Sequence, residues 1–167
     1  MFTVGILTVS DRGSRGERED TSGQEIQRLL AALDARVVKY EVVPDERGLI
    51  SARLKEWVDE EGIDLILTTG GTGLAPRDVT PEATRAVLER EAPGFAEAMR
   101  AESLKQTPRG MLSRAVAGTR GASLVVNLPG SPRAVRECLA AIMPVLPHAI
   151  ETLKGEGGEC AQDGGGH

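Results

Sequence analysis

Asp64-Leu65-Ile66-Leu67-Thr68-Thr69-Gly70-Gly71-Thr72-Gly73 decides how this chain is organised. Asp64 to Thr69 (DLILTT) reads as one continuous apolar strand. A strand without a polar face is buried on both sides, as happens inside a parallel sheet covered by helices. It runs straight into glycines. Thr80-Pro81 then marks a helix start, with proline at a position where the missing N–H is harmless. The stretch reads as strand, glycine turn, helix.

The same alternation extends in both directions. Thr3 to Ser10 is a buried strand, followed by a polar stretch from Arg12 to Asp20. Ser22-Gly23-Gln24-Glu25 reads as a capping box, with Ile26, Leu29, Leu30 and Leu33 at helical spacing. Arg36 to Val43 alternates as a strand and is broken by Pro44-Asp45. Ile50, Leu54, Trp57, Val58 and Glu61 mark the next helix, stopped by Gly62. Downstream, the helix opened by Thr80 is expected to reach about Glu91, and Pro93-Gly94 separates it from another over Phe95 to Leu104. Gln106 to Gly118 fits no single pattern. Ser123 to Leu128 is a further buried strand. Ser131-Pro132 opens a helix with Val135, Cys138, Leu139 and Ile142 on one face, kinked or restarted at Pro144 and Pro147. The expected fold is α/β: a mostly parallel sheet with helices on both sides. Residues 1–154 read as one domain and the Gly- and acid-rich residues 155–167 as a flexible tail.

Composition narrows the function. A chain of 167 residues suits one domain, and 40% hydrophobic with 27% charged residues is the profile of a soluble globular protein. A net charge of -5 and only 2% aromatics argue against a nucleic-acid partner. No apolar run is long enough for a membrane span. Met1 to Ser10 lacks a basic leader and reads as a strand rather than a signal peptide. Cys138 and Cys160 form no CxxC pair and read as reduced thiols of a cytoplasmic protein. His148 and His167 offer neither a zinc site nor a triad base.

In parallel sheets of this kind ligands bind at the carboxyl ends of the strands. Four such ends carry unusual residues: Ser10-Asp11, Pro44-Asp45, Gly70 to Asp78, and Pro129-Gly130-Ser131. Gly70-Gly71-Thr72-Gly73 lets the backbone approach a ligand, and its N–H groups suit phosphate. It is neither a P-loop, lacking the Lys-Ser or Lys-Thr pair, nor a dinucleotide fingerprint, because Pro76 takes the last glycine position. Asp78 lies beside a helix N-terminus, with Thr80 expected as its cap. Asp11 and Asp45 share its edge of the sheet. Carboxylates gathered beside phosphates repel them unless a cation intervenes, and Mg²⁺ binds through one or two carboxylates plus substrate phosphates. Pro129-Gly130-Ser131 offers a second helix N-terminus for an anion. Plainer readings stand beside these: a tight turn that binds nothing, helix-end stabilisation, solvated turn aspartates. Arg12, Arg15 and Arg18 read as a solvated loop. Ser113, with no histidine partner, is a hydrogen-bonding group rather than a nucleophile.

Taken together, Ser10-Asp11, Pro44-Asp45-Glu46, Gly70 to Pro81 (GGTGLAPRDVTP), Met111 to Gly121 (MLSRAVAGTRG) and Asn127 to Pro132 (NLPGSP) resemble the molybdopterin adenylyltransferase family, the MogA/MoaB group with the gephyrin G domain. The resemblance covers about Thr3 to Lys154. It implies a three-layer α/β/α sandwich, a homotrimer, and Mg²⁺-dependent transfer of AMP from ATP to the terminal phosphate of molybdopterin, releasing pyrophosphate. It implies contact with other proteins of the molybdenum cofactor pathway. Asp45 and Asp78 match the family's two catalytic aspartates and are the expected Mg²⁺ ligands. Ser113 matches a pocket serine. Gly70, Gly71, Thr72, Gly73, Pro129, Gly130 and Ser131 match ligand-binding loops, and Ser10 and Asp11 the first strand end. A carrier or scaffold that binds molybdopterin without adenylylating it is the alternative.

Overall fold

Strand side chains alternate between faces, and here both faces are apolar. In the computed structural model, which describes residues 1–156, strand β1 (Phe2–Val9) sends Val4 and Ile6 to one side and Leu7 and Val9 to the other. Strands β3 (Leu65–Thr69) and β6 (Ser123–Leu128) repeat the pattern: Leu65, Leu67, Leu124 and Val126 face one way, Ile66 and Val125 the other. Such strands need a helical layer on each side. Between them in sequence lie α1 (Asp11–Ser14), α2 (Thr21–Leu30), β2 (Ala35–Val43), α3 (Arg47–Asp59), α4 (Thr80–Arg85), β4 (Arg90–Glu91), α5 (Pro93–Gln106) and β5 (Ala117–Arg120); α6 (Pro132–Ile142) and α7 (Leu146–Leu153) follow β6.

The six strands are ordered β2-β1-β3-β6-β5-β4. The first four are mutually parallel, whereas β5 runs antiparallel to β6 and β4 antiparallel to β5. Ile26 and Leu30 of α2, Met99 of α5, Val135 and Leu139 of α6 and Ile150 of α7 cover one face. Ile50, Leu54 and Trp57 of α3 and Ala83 of α4 cover the other. This is the expected three-layer α/β/α sandwich with a mostly parallel sheet. A side chain of this size contributes about 1.5–3 kcal/mol when fully buried, so both layers stabilise the sheet. Trp57 packs against Gly5, where a Cβ would stand 2.8 Å from its ring.

Several local expectations differ from the structure. The cap of α2 is Asp20, whose side chain accepts the Gly23 N–H, in place of the Ser22–Glu25 capping box. Glu25 is drawn instead to Arg28 and Arg136. The helix opened by Thr80 ends at Arg85, short of Glu91. Residues 89–92 bond the sheet edge instead, with Glu89 N–H donating to Thr119 O and Ala92 N–H to Ala117 O. The stretch 106–118 resolves into a 3₁₀ turn (Pro108–Leu112) and the start of β5. Pro93 opens α5 as its first residue rather than breaking the chain. The chain does restart near Pro144 and Pro147, through a 3₁₀ turn into α7. Residues 157–167, most of the expected tail, and with them Cys160 and His167, lie outside the described residues. Among the described residues no helix is long and apolar enough to cross a membrane.

Four parallel strands place four carboxyl ends on one edge. Backbone bonds tie them pairwise: Ser10 N–H donates to Val43 O (2.8 Å) and Gly70 N–H to Leu128 O (3.2 Å).

Candidate active site

The turn after β3 is one that only glycine makes easily. Gly70 and Gly71 have φ of 97° and 69°. A Cβ on Gly70 would collide with the Val9 carbonyl oxygen, and one on Gly71 with the Thr80 hydroxyl. Thr80 holds the turn from below. Its hydroxyl donates to Gly70 O (3.0 Å) and its N–H to Gly71 O (3.1 Å). It is fully buried and is the first residue of α4 rather than the expected cap; Val79 holds that position. The hydroxyl is unavailable for capping because it lies under the glycines.

Three carboxylates gather at the neighbouring strand ends. Asp11 N–H donates to Asp45 Oδ2 (2.9 Å) and Asp45 N–H to Asp11 Oδ1 (3.0 Å). Arg77 reaches across from the loop after β3 and donates to both Asp11 oxygens, Nε at 3.0 Å and Nη2 at 2.8 Å. Its guanidinium, with the Asp45 N–H, holds the Asp11 carboxyl below its usual value. Burial pushes Asp45 the other way, and the charges of Asp11 and Asp78 add to that rise. Asp78 Oδ2 accepts the Ala75 N–H (3.0 Å). Among the described residues Asp45 and Asp78 thus each keep one oxygen free of hydrogen bonds. No cluster of three or more His, Cys, Asp or Glu side chains among the described residues forms a complete metal cage. Two carboxylates with open oxygens fit Mg²⁺, which takes the rest of its shell from phosphates and water.

The opposite wall is built from the ends of β1 and β6. Thr69 Oγ1 donates to Pro129 O (2.6 Å), drawing Gly130 and Ser131 over the glycine turn. Ser131 caps α6 by accepting the Ala134 N–H (3.2 Å). At the far end Asp20 is a hub. It accepts from Thr8 Oγ1 (2.7 Å), Ser22 Oγ (3.2 Å), the Gly23 N–H and the Tyr40 hydroxyl. Burial, reinforced by that Asp20 contact, pushes the Tyr40 phenol above its usual value. These walls enclose a cleft of about 390 Å³.

Ser10, Asp45, Gly70 and Gly71 line this cleft, as do Asp78, Gly130 and Ser131. These are the strand ends singled out from sequence. The other expected residues stand behind it. Asp11 has its carboxylate engaged by Arg77 and the Asp45 N–H. Pro129 is held through its carbonyl by Thr69. Thr72 is buried, and Gly73 lies against Asp78. Ser113 does not line the cleft; its Oγ accepts the Ala115 N–H (3.3 Å) in a segment packed behind residues 72–78. Sequence reasoning overlooked Asp20 and Thr8, which do line it, and read Arg18, which lines it too, as part of a solvated loop. The signal for Asp20 was local, an aspartate just before Thr21-Ser22 in cap position. Thr8, inside an apolar strand, carried none.

The profile described as "Probable molybdopterin binding domain" matches residues 5–148. The chain belongs to this family. A molybdopterin adenylyltransferase of Helicobacter pylori is 48% identical over 154 residues, covering 91% of this chain and 88% of the relative. That of Haemophilus influenzae is 47% identical over 144 residues, covering 85% and 73%. Among solved structures, the molybdopterin biosynthesis enzyme MoaB of Thermus thermophilus is 59% identical with a TM-score of 0.89, covering 93% of this chain and 98% of that one. In this molybdopterin-binding domain the matched residues include every strand end that meets at the cleft.

Proposed function

We propose that this member of the family adenylylates molybdopterin in molybdenum cofactor biosynthesis, using Mg-ATP. A terminal phosphate oxygen of molybdopterin attacks the α-phosphorus of ATP. The bond from that phosphorus to the bridging oxygen breaks, and pyrophosphate leaves. The convergence of a glycine turn, two carboxylates with free oxygens and a capped helix N-terminus on one cleft carries this reading.

Transfer at phosphorus needs positioning and charge neutralisation more than covalent help from the protein. Asp45 and Asp78 would hold Mg²⁺, which when bound neutralises the ATP phosphates. The Gly71 N–H of the glycine turn would face a phosphate oxygen, and the N-terminus of α6 at Ser131 would receive a second anionic group. Molybdopterin's phosphate is already an anion, so no general base is required. The reading includes the homotrimer implied by the family resemblance; a sedimentation mass three times that of the chain tests it.

The experiment is pyrophosphate release from Mg-ATP with and without molybdopterin, with Asp78→Asn alongside. Release is expected only with the pterin. Asp78→Asn is expected to lower turnover far more than it weakens pterin binding. Tight molybdopterin binding by the wild-type chain without pyrophosphate release overturns the transferase reading in favour of a carrier.

A further inference from the structure

All four carbonyls of the Gly70–Gly73 turn have a donor. Thr80 serves Gly70 and Gly71. Arg114 serves the other two: its N–H donates to Thr72 O (2.8 Å) and its Nε to Gly73 O (2.8 Å). Of the turn's own N–H groups, Gly70's is bonded to Leu128 O. Those of Gly71, Thr72 and Gly73 meet no acceptor among the described residues. A carbonyl and the next residue's N–H share one plane, so Thr80 fixes the amides of Gly71 and Thr72, and the Arg114 main-chain N–H fixes that of Gly73.

The Arg114 guanidinium does more than hold Gly73. Its Nη2 donates to Asp78 O (2.8 Å), and its Nη1 to Glu82 Oε1 (2.6 Å) and Oε2 (3.1 Å). One planar group thus spans both ends of the 73–78 loop and anchors it to α4. Guanidinium geometry suits this because its donors point outward in fixed directions; a lysine ammonium is a single point on a flexible stem. Arg114 and Glu82 are both half-buried, and neither lines the cleft.

We infer that Arg114, held by Glu82, is a positioning residue that ties Gly73 to Asp78 and so sets the backbone from which the Asp78 carboxylate reaches the cleft. The inference rests on reading Asp78 as a carboxylate that holds Mg²⁺ beside phosphate in the cleft. Without the guanidinium, Gly73 O and Asp78 O lose their donor and are free to rotate.

The test titrates inorganic pyrophosphate with Mg²⁺ into ¹⁵N-labelled protein and follows the amide signals of Ala75 and Asp78, which are bonded to each other across the loop. Wild type, Arg114→Met, Arg114→Lys and Glu82→Gln are compared, with folding checked by circular dichroism. The wild-type amides are expected to shift on titration. Arg114→Met is expected to weaken pyrophosphate binding at least tenfold; Arg114→Lys and Glu82→Gln fall between. In turnover, kcat should drop more than KM for molybdopterin rises in all three variants. A folded Arg114→Met protein whose loop amides respond like wild type overturns the inference. If Arg114→Met does not fold, wild-type responses from both other variants overturn it equally. Wild-type amides indifferent to pyrophosphate overturn it as well. Pyrophosphate binding that depends on Arg114, in a protein that releases none from Mg-ATP and molybdopterin, leaves the inference standing while the transferase reading fails.

Discussion

Asp11 and Asp45 are bound to each other twice, each offering its N–H to the other's carboxylate at 2.9 and 3.0 Å. The pair joins the ends of β1 and β2 and fixes the Asp45 side chain at the cleft. Arg77 offsets the charge of Asp11 from outside. The Asp11 carboxylate thus holds the Asp45 main chain, while the Asp45 carboxylate is held by the Asp11 main-chain N–H. Asp11→Ala is expected to lower pyrophosphate release by about 10- to 100-fold, the usual effect of losing a partner that orients a metal ligand. Its Mg²⁺ half-saturation should rise. Turnover measured against Mg²⁺ concentration checks both.

The two aspartates titrate in opposite senses. Asp11, with its folded pKa lowered chiefly by Arg77, contributes stability that is present above the ordinary aspartate value and is lost as pH falls through its folded pKa. Asp45, raised by burial, binds more protons folded than unfolded just above the ordinary value, so its share of stability declines as pH rises through that window. Mg²⁺ favours the ionised form. The gain in Tm on adding Mg²⁺ should therefore be larger at pH 7 than at pH 4, as thermal unfolding at both pH values with and without Mg²⁺ would show.

Asn127 is fully buried in an otherwise apolar strand. Its Nδ2 donates to Thr68 Oγ1 (2.9 Å) and Thr84 Oγ1 (3.0 Å), and its Oδ1 accepts the Val116 N–H (3.2 Å). Thr84 in turn donates to Thr80 O (2.8 Å) beneath the glycine turn. Asn127→Leu would strand the buried Val116 N–H and deprive two hydroxyls of a donor. Each unsatisfied buried group costs about 1–3 kcal/mol. A lower urea midpoint with an unchanged m-value is expected from equilibrium unfolding.

Two glycine substitutions should move stability in opposite directions. Gly70→Ala places a Cβ on the Val9 carbonyl at φ 97°, and the backbone strain alone costs about 1–3 kcal/mol. Gly48, near the start of α3, has open space where a Cβ would stand. Gly48→Ala should stabilise by roughly 0.4–1 kcal/mol through the unfolded chain. Denaturant melts of the two variants provide the comparison; a Gly70→Ala protein as stable as wild type would contradict the turn geometry.

What could be read along the chain was what neighbouring residues dictate together. Leu65 to Thr69 and Ser123 to Leu128 announce buried parallel strands because no face of them is polar, and Gly70-Gly71 announces a turn at positive φ. From these the layered architecture and the meeting of strand ends at Ser10, Asp45, Gly70 and Ser131 follow. The edge pair β4 and β5 was hidden because two- and four-residue strands carry too little pattern, and their pairing is set by the partner strand. The roles inside the site were hidden for a related reason. Asp11 meets Asp45 across 34 residues and Arg77 across 66, and Arg114 meets the Asp78 carbonyl across 36. Residue type announces a carboxylate or a guanidinium. Which oxygens it binds, and whether it touches the ligand or the group that does, is decided only when the strands bring distant segments within hydrogen-bond reach.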